Sequence, residues 1–141
     1  MTTVQVKEKV GAAADAVFKD ISDFGGADRF DVVETCTVEG SGVGAVRTIA
    51  LTNNMGKVIE RLESYDPSAR SFSYRIINDD CPLPVDGYVA TVRVLEDGPN
   101  ACTVEWTGVF QPKGAPEEAV RPIIEGIYTG GIAVTRRAVG G

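Results

Sequence analysis

Residues 38–51 read VEGSGVGAVRTIAL, and how this stretch is read decides the fold. Gly40, Gly42 and Ala45 fit the G-x-G-x-x-G/A spacing of a dinucleotide-binding turn. That motif works only where a strand enters the glycines and a helix leaves them, because the pyrophosphate sits on the helix N-terminus. The entering stretch VVETCTVE (32–39) is β-branched, as a strand requires. The leaving stretch AVRTIALT (45–52) is β-branched as well and has no helical period. No acidic residue closes a βαβ unit about 20 residues on, since Glu60 and Glu63 fall inside another strand-like run. The segment therefore reads strand, glycine turn, strand, with the glycines supplying positive φ.

Working outward, turn-forming clusters recur at Gly40–Gly44, Asn53–Gly56, Asp66–Ala69, Asn78–Pro84 and Asp97–Asn100. They divide Val32 to Pro112 into six strands of an antiparallel meander. Ahead of them VQVKEKV (4–10) alternates as a first strand, with Val4, Val6 and Val10. AADAVFKDISDF (13–24) then puts Val17, Phe18, Ile21 and Phe24 on one helical face, and GGADRF (25–30) ends that helix and offers a second, short one. Past Pro112 the period changes. Pro116, Glu117 and Glu118 suit a helix start and Arg136 and Arg137 its end, with Val120, Ile123, Ile124, Ile127 and Val134 as an apolar stripe. Pro122 lies early in this helix, where it would kink it. The order predicts an α+β fold: a curved antiparallel sheet of about seven strands wrapped around a long C-terminal helix, with one or two short helices after the first strand.

The bulk properties narrow the function. A chain of 141 residues suggests one domain, 1–141, able to bury roughly two-thirds of its unfolded surface and to enclose a cavity. A net charge of −6 without a basic block argues against a nucleic-acid partner. No run of 18 apolar residues marks a membrane span, and MTTVQVKEKV lacks a signal-peptide core. Cys36, Cys81 and Cys102 are scattered and odd in number, which fits free thiols and a cytoplasmic location. There is no histidine, so Ser-His-Asp and Cys-His catalysis and the usual zinc sites are absent. No metal and no cofactor are expected.

Several longer words carry a family resemblance: SDFGGAD (22–28), VETCTVEGSGVGAVRTIAL (33–51), VIERLESYDPSARSFSYRI (58–76), PLPVDGYVATVRV (82–94) and VEWTGVFQPKGAP (104–116). In this order they resemble the START-like, helix-grip (SRPBCC, Bet v 1-like) superfamily, which includes plant abscisic-acid receptors and bacterial polyketide cyclase/dehydrase-type proteins. The resemblance implies a cavity between the concave face of the sheet and the C-terminal helix. Many bacterial relatives carry a Trp-His-Pro sequence early on, where this chain has Phe30 and Asp31; a mechanism needing that histidine is not open to it.

Strand parity then nominates cavity residues. Arg47, Ile49 and Leu51 come from the strand after the glycine turn, and Val58, Glu60 and Leu62 from the next. The resemblance to abscisic-acid receptors matches Glu60 and Leu51 to pocket positions. If the turn at Asn53–Gly56 pairs Leu51 with Val58, Arg47 and Glu60 become diagonal neighbours on one face, an internal ion pair. The pair either anchors a ligand or works as acid/base, or is structural. Phe72, Tyr74 and Ile76 follow, then Val85, Tyr88 and Ala90, with Tyr88 matching a pocket tyrosine of the same receptors. On the last strand the resemblance favours Thr107 inward and hydrophobicity favours Trp106. The helix offers Ile124, Ile127 and Tyr128 to the cavity. Gly126 and Gly130 either leave room for a ligand or let helix and sheet approach, and the second is preferred. Glu34 stands where the plant receptors carry a ligand-anchoring lysine, and Cys81, in CPLPV (81–85), lies in a loop at the pocket mouth.

Three functions remain open: a binding protein for a small hydrophobic molecule, lipid- or polyketide-like; a cyclase, dehydratase or lyase using Glu60 as base, Tyr74 or Tyr88 as proton donor and Arg47 to steady an enolate; and an interaction module with a ligand-sensitive mouth. Monomer and homodimer are both compatible.

Overall fold

In the computed structural model, which describes residues 1–141, seven strands and two helices follow the order of the sequence signals. Strand β1 is Thr2–Val10, helix α1 is Ala14–Ile21, and a 3-10 turn covers Gly26–Arg29. Strands β2 (Val33–Glu39), β3 (Val46–Leu51), β4 (Lys57–Asp66), β5 (Ser71–Ile76), β6 (Val85–Gly98) and β7 (Ala101–Pro112) form the meander. Helix α2 runs from Glu117 to Val139. All neighbours are antiparallel in the sheet order β1-β7-β6-β5-β4-β3-β2. The fold is the α+β helix-grip arrangement.

The glycine run is a turn. Gly40, Gly42 and Gly44 all hold positive φ, between 68° and 93°, and deliver Ala45 into the core at 4% exposure. No helix follows them, so no dipole end is available for a pyrophosphate.

One register differs from the expected one. Ile49 pairs with Val58 and Arg47 pairs directly with Glu60, two residues off the diagonal arrangement. The cause is the β3–β4 connection. Asn53 and Asn54 both adopt left-handed φ (60° and 56°), Gly56 follows at 112°, and Leu51 N–H donates to the Gly56 carbonyl. Leu51 thus stands opposite Gly56 across residues 52–55, a turn two residues shorter than the 52–57 that pairing with Val58 would leave. Parity is unchanged, so the same faces point inward.

The core lies between the concave face and the helices. Val4, Val10, Val17, Phe72, Val92, Val104, Phe110, Val120 and Ile132 are all nearly inaccessible. Helix α2 is fastened along β1: Arg121 Nη1 donates to the Thr3 carbonyl at 2.9 Å, and Arg136 Nη2 donates to the Lys9 carbonyl at 2.8 Å and to Glu8 at 3.0 Å. It packs on β1, β7 and α1. Being drawn to that edge, α2 leaves the β2–β4 side of the concave face uncovered, and this opens the cleft described next.

A cleft with a buried Arg–Glu pair

The cleft has a volume of about 630 Å³, and 17 of its 28 lining residues are hydrophobic, so its interior offers mainly apolar contact. The floor is β-sheet: Arg47, Ile49 and Leu51 from β3, Val58 and Glu60 from β4, Phe72 and Tyr74 from β5, and Trp106 from β7. One flank is α2 through Ile123, Ile127 and Val134. The other is the segment after α1, through Ala27, Phe30 and Val32.

Arg47 and Glu60 are the charged centre of the floor. Nε of Arg47 donates to Oε1 of Glu60 at 2.7 Å, and Nη2 completes the ion pair 2.6 Å from the same oxygen. Nη1 donates to the carbonyl of Phe24 at 3.1 Å. The guanidinium carbon lies 4.2 Å from the centre of the Phe24 ring and 5.0 Å from that of Tyr74, so two aromatic π-systems attract its charge. The side chains keep only 12% and 8% of their exposure. Burial disfavours the Arg47 charge, but the Glu60 carboxylate more than offsets this and raises its pKa. Oε2 of Glu60 has no hydrogen-bond partner in the chain. The only fully enclosed, unpartnered side-chain atom is Asp20 Oδ2, so Oε2 opens into the cleft.

The aromatic residues form a second connected set. Trp106 Nε1 donates to the Tyr74 hydroxyl at 3.1 Å, and the Tyr88 and Tyr128 hydroxyls share a hydrogen bond. Trp106 stacks on Tyr128 with ring centres 5.0 Å apart. Burial pushes the phenols of Tyr74, Tyr88 and Tyr128 well above the ordinary tyrosine value, so all three stay protonated and act as hydrogen-bond donors and acceptors.

Several expected positions move. Thr107 lies on the outer face, where Gln5 Nε2 donates to its hydroxyl at 3.0 Å; Trp106 is the inward residue, because β7 alternates with Val104, Gly108 and Phe110 buried. Leu62, Ala90, Ile124 and Tyr128 pack into the core and do not line the cleft. Ile76, Val85 and Tyr88 border a separate, smaller hollow of about 200 Å³ beside Lys113. The close-approach reading of Gly126 and Gly130 fails: a Cβ at either would meet nothing within 4 Å. The glycine of α2 that permits close approach is Gly131, where a Cβ would stand 2.6 Å from Trp106 Cζ3; on the β7 side Gly108 does the same for Tyr128. Glu34 is exposed, because an irregularity between Val33 and Thr35 turns it out of the alternation. Cys81 is half-buried, and burial raises its thiol pKa, which makes it a poorer nucleophile.

Sequence reasoning missed the flank after α1. Ala27 and Phe30 lie in the short GGADRF stretch and Val32 at the very start of a strand, so parity assigned none of them to the cavity. The signal was the SDFGGAD word and the Phe30-Asp31 departure, read only as a family mark.

The profile of the polyketide cyclase/dehydrase and lipid transport family matches residues 1–140. No curated protein sequence matches the chain. Among solved structures, an uncharacterized protein from Bacillus thuringiensis is 25% identical, with 99% of this chain and 100% of that one covered and a TM-score of 0.86. The protein XoxI from Bacillus cereus is 26% identical over 99% and 96% of the two chains, TM-score 0.86. Norcoclaurine synthase from Thalictrum flavum, in complex with dopamine and hydroxybenzaldehyde, shares the fold at 20% identity, 98% and 86% coverage and a TM-score of 0.81. No helix of the chain is long and apolar enough to cross a membrane.

Proposed function

Because the chain belongs to the polyketide cyclase/dehydrase and lipid transport family, we propose that its cleft holds a small hydrophobic molecule, lipid- or polyketide-like, between the sheet and α2. The observation that carries this is the cleft itself: about 630 Å³ of mainly apolar wall with one partner-free carboxylate oxygen on its floor. An apolar surface with few convergent polar groups gains binding energy from the wall and orientation from the polar atom.

A second reading, a cyclase or dehydratase, is favoured by that same oxygen. A general base needs an accessible lone pair, and Oε2 of Glu60 has one. Tyr74, protonated and on the cleft wall, is the proton donor in this reading. Arg47 orients Glu60 through Nε and is itself held by the Phe24 carbonyl through Nη1, and its remaining Nη N–H groups are the ones available to steady an enolate. Tyr88 is tied to Tyr128 and lies off the cleft, which leaves it no part in the step.

Native mass spectrometry of freshly purified protein, with denatured and solvent-extracted controls, separates the readings. An added mass of a few hundred daltons that leaves on denaturation supports a carrier. A bare chain mass, together with turnover of polyketide-like substrates that Glu60→Gln abolishes, supports the enzyme. A bare mass with no binding of the fluorescent probe 1-anilinonaphthalene-8-sulfonate and no turnover rejects both.

A further inference from the structure

The polar geometry of the cleft discriminates among head groups. The cation on the floor is already engaged: Arg47 Nε donates to Oε1 of Glu60, Nη2 lies 2.6 Å from the same oxygen, Nη1 donates to the Phe24 carbonyl, and the Phe24 and Tyr74 rings lie against the guanidinium. Arg29, on the wall, donates to Asp20 at 2.8 Å and to the Gly26 carbonyl at 3.0 Å, and Arg137, the third cation lining the cleft, is exposed to solvent, where its charge is screened. A ligand carboxylate at the floor would therefore meet a guanidinium already neutralised by Glu60, and would face the bare Oε2 of Glu60 with like charge. An ammonium fares little better. Glu60, 94% buried by its 6% exposure, is already neutralised by the guanidinium 2.6 Å from Oε1, so a cation at Oε2 is attracted by one member of the pair and repelled by the other. A neutral hydroxyl meets neither objection. It donates to Oε2, on the same floor as the Tyr74 hydroxyl, whose oxygen receives the Trp106 N–H.

We propose that the cleft selects neutral apolar molecules that present a hydroxyl group, a phenol or an alcohol, to Oε2 of Glu60, in preference to carboxylic acids and amines. This rests on the cleft being a binding site for a hydrophobic molecule. The preference arises from the pairing of Glu60 with Arg47 and is separate from the apolar wall, which would bind all head groups alike.

Four probes with one ring system test it by titration calorimetry at neutral pH: naphthalene, 2-naphthol, 2-naphthoate and 2-(aminomethyl)naphthalene. 2-Naphthol should bind about tenfold more tightly than each of the others, the factor that a hydrogen bond to a charged group is worth. Naphthalene binding as tightly as 2-naphthol, or naphthoate or the amine binding as tightly or more so, overturns the selectivity and leaves the apolar cleft standing. Failure of all four to bind overturns the cleft reading and this inference with it. In Glu60→Gln the guanidinium loses its anion, so naphthoate should gain on 2-naphthol; an unchanged order in a folded variant also overturns the proposal. The four-probe order in the unmodified protein decides alone should that variant fail to fold.

Discussion

Gly131→Ala and Gly130→Ala are adjacent substitutions with opposite expected signs. Both sites lie inside α2, where glycine costs about 1 kcal/mol relative to alanine. At Gly130 a Cβ meets nothing within 4 Å, so alanine should stabilise by about 0.5–1 kcal/mol. At Gly131 the same atom would stand 2.6 Å from Cζ3 and 2.8 Å from Cη2 of Trp106, and 3.2 Å from Cζ of Phe30. Trp106 cannot swing away freely: its Nε1–H is held by Tyr74 at 3.1 Å and its ring stacks on Tyr128. Overpacking of this kind costs about 1–3 kcal/mol, and a strained Trp106–Tyr74 hydrogen bond adds about 1 kcal/mol. Against the helix gain of about 1 kcal/mol, Gly131→Ala should lose about 1–3 kcal/mol net. Urea unfolding followed by circular dichroism and by the fluorescence of Trp106, the only tryptophan, measures both variants. Gly131→Ala stabilising the chain as much as Gly130→Ala would refute the claim that Gly131 is what lets α2 approach β7.

Glu60→Leu alone leaves the Arg47 charge buried and unpaired and should cost about 3–5 kcal/mol, whereas Arg47→Met combined with Glu60→Leu should recover most of it; a double-mutant cycle in urea checks the coupling. Tyr128→Phe strands the Tyr88 hydroxyl and should cost about 1–3 kcal/mol, read from the same unfolding curves. The three buried phenols also predict a pH dependence. Their folded-state pKa values lie above the ordinary tyrosine value of 10.0, so their contribution is complete below pH 10.0 and is lost as pH rises beyond it. Their absorbance change at alkaline pH should coincide with loss of the circular-dichroism signal; ionisation in a still-folded chain would contradict the burial. Cys102, at 0% exposure, should react with a thiol reagent only at the rate of unfolding, and quick modification in native buffer would show an opening near the β6–β7 turn.

Strand order and the helix grip were legible because turn residues and the period-2 to period-3.6 switch are local signals. Val92 and Val104 alternate inward, and each turn cluster separates two strands, as at Asp97–Asn100 between β6 and β7. The Arg47–Glu60 pairing survived a wrong register because a slip of two residues preserves parity. Trp106 against Thr107 was ambiguous for the opposite reason: β7 has a β-branched or aromatic residue on both faces, and only the partner strands choose between them. Ala27 and Phe30 were invisible as wall residues because irregular backbone has no period to read. Gly126, Gly130 and Gly131 look alike in sequence, and only the position of Trp106 tells them apart.

The sheet order has a consequence for how the chain is made. Strands β2 to β7 join by short turns and pair with the neighbour just synthesised, whereas β1 pairs with β7, Thr2 opposite Phe110. A nascent chain thus carries β1 without its sheet partner until residues 101–112 have left the ribosome. Closing that pair joins segments about a hundred residues apart, the step of highest loop entropy in the fold. The meander is free to form early, and the docking of β1 and α2 that completes the barrel-like wall is late. Substitutions at Val4 or Val10 should therefore speed unfolding far more than they slow folding.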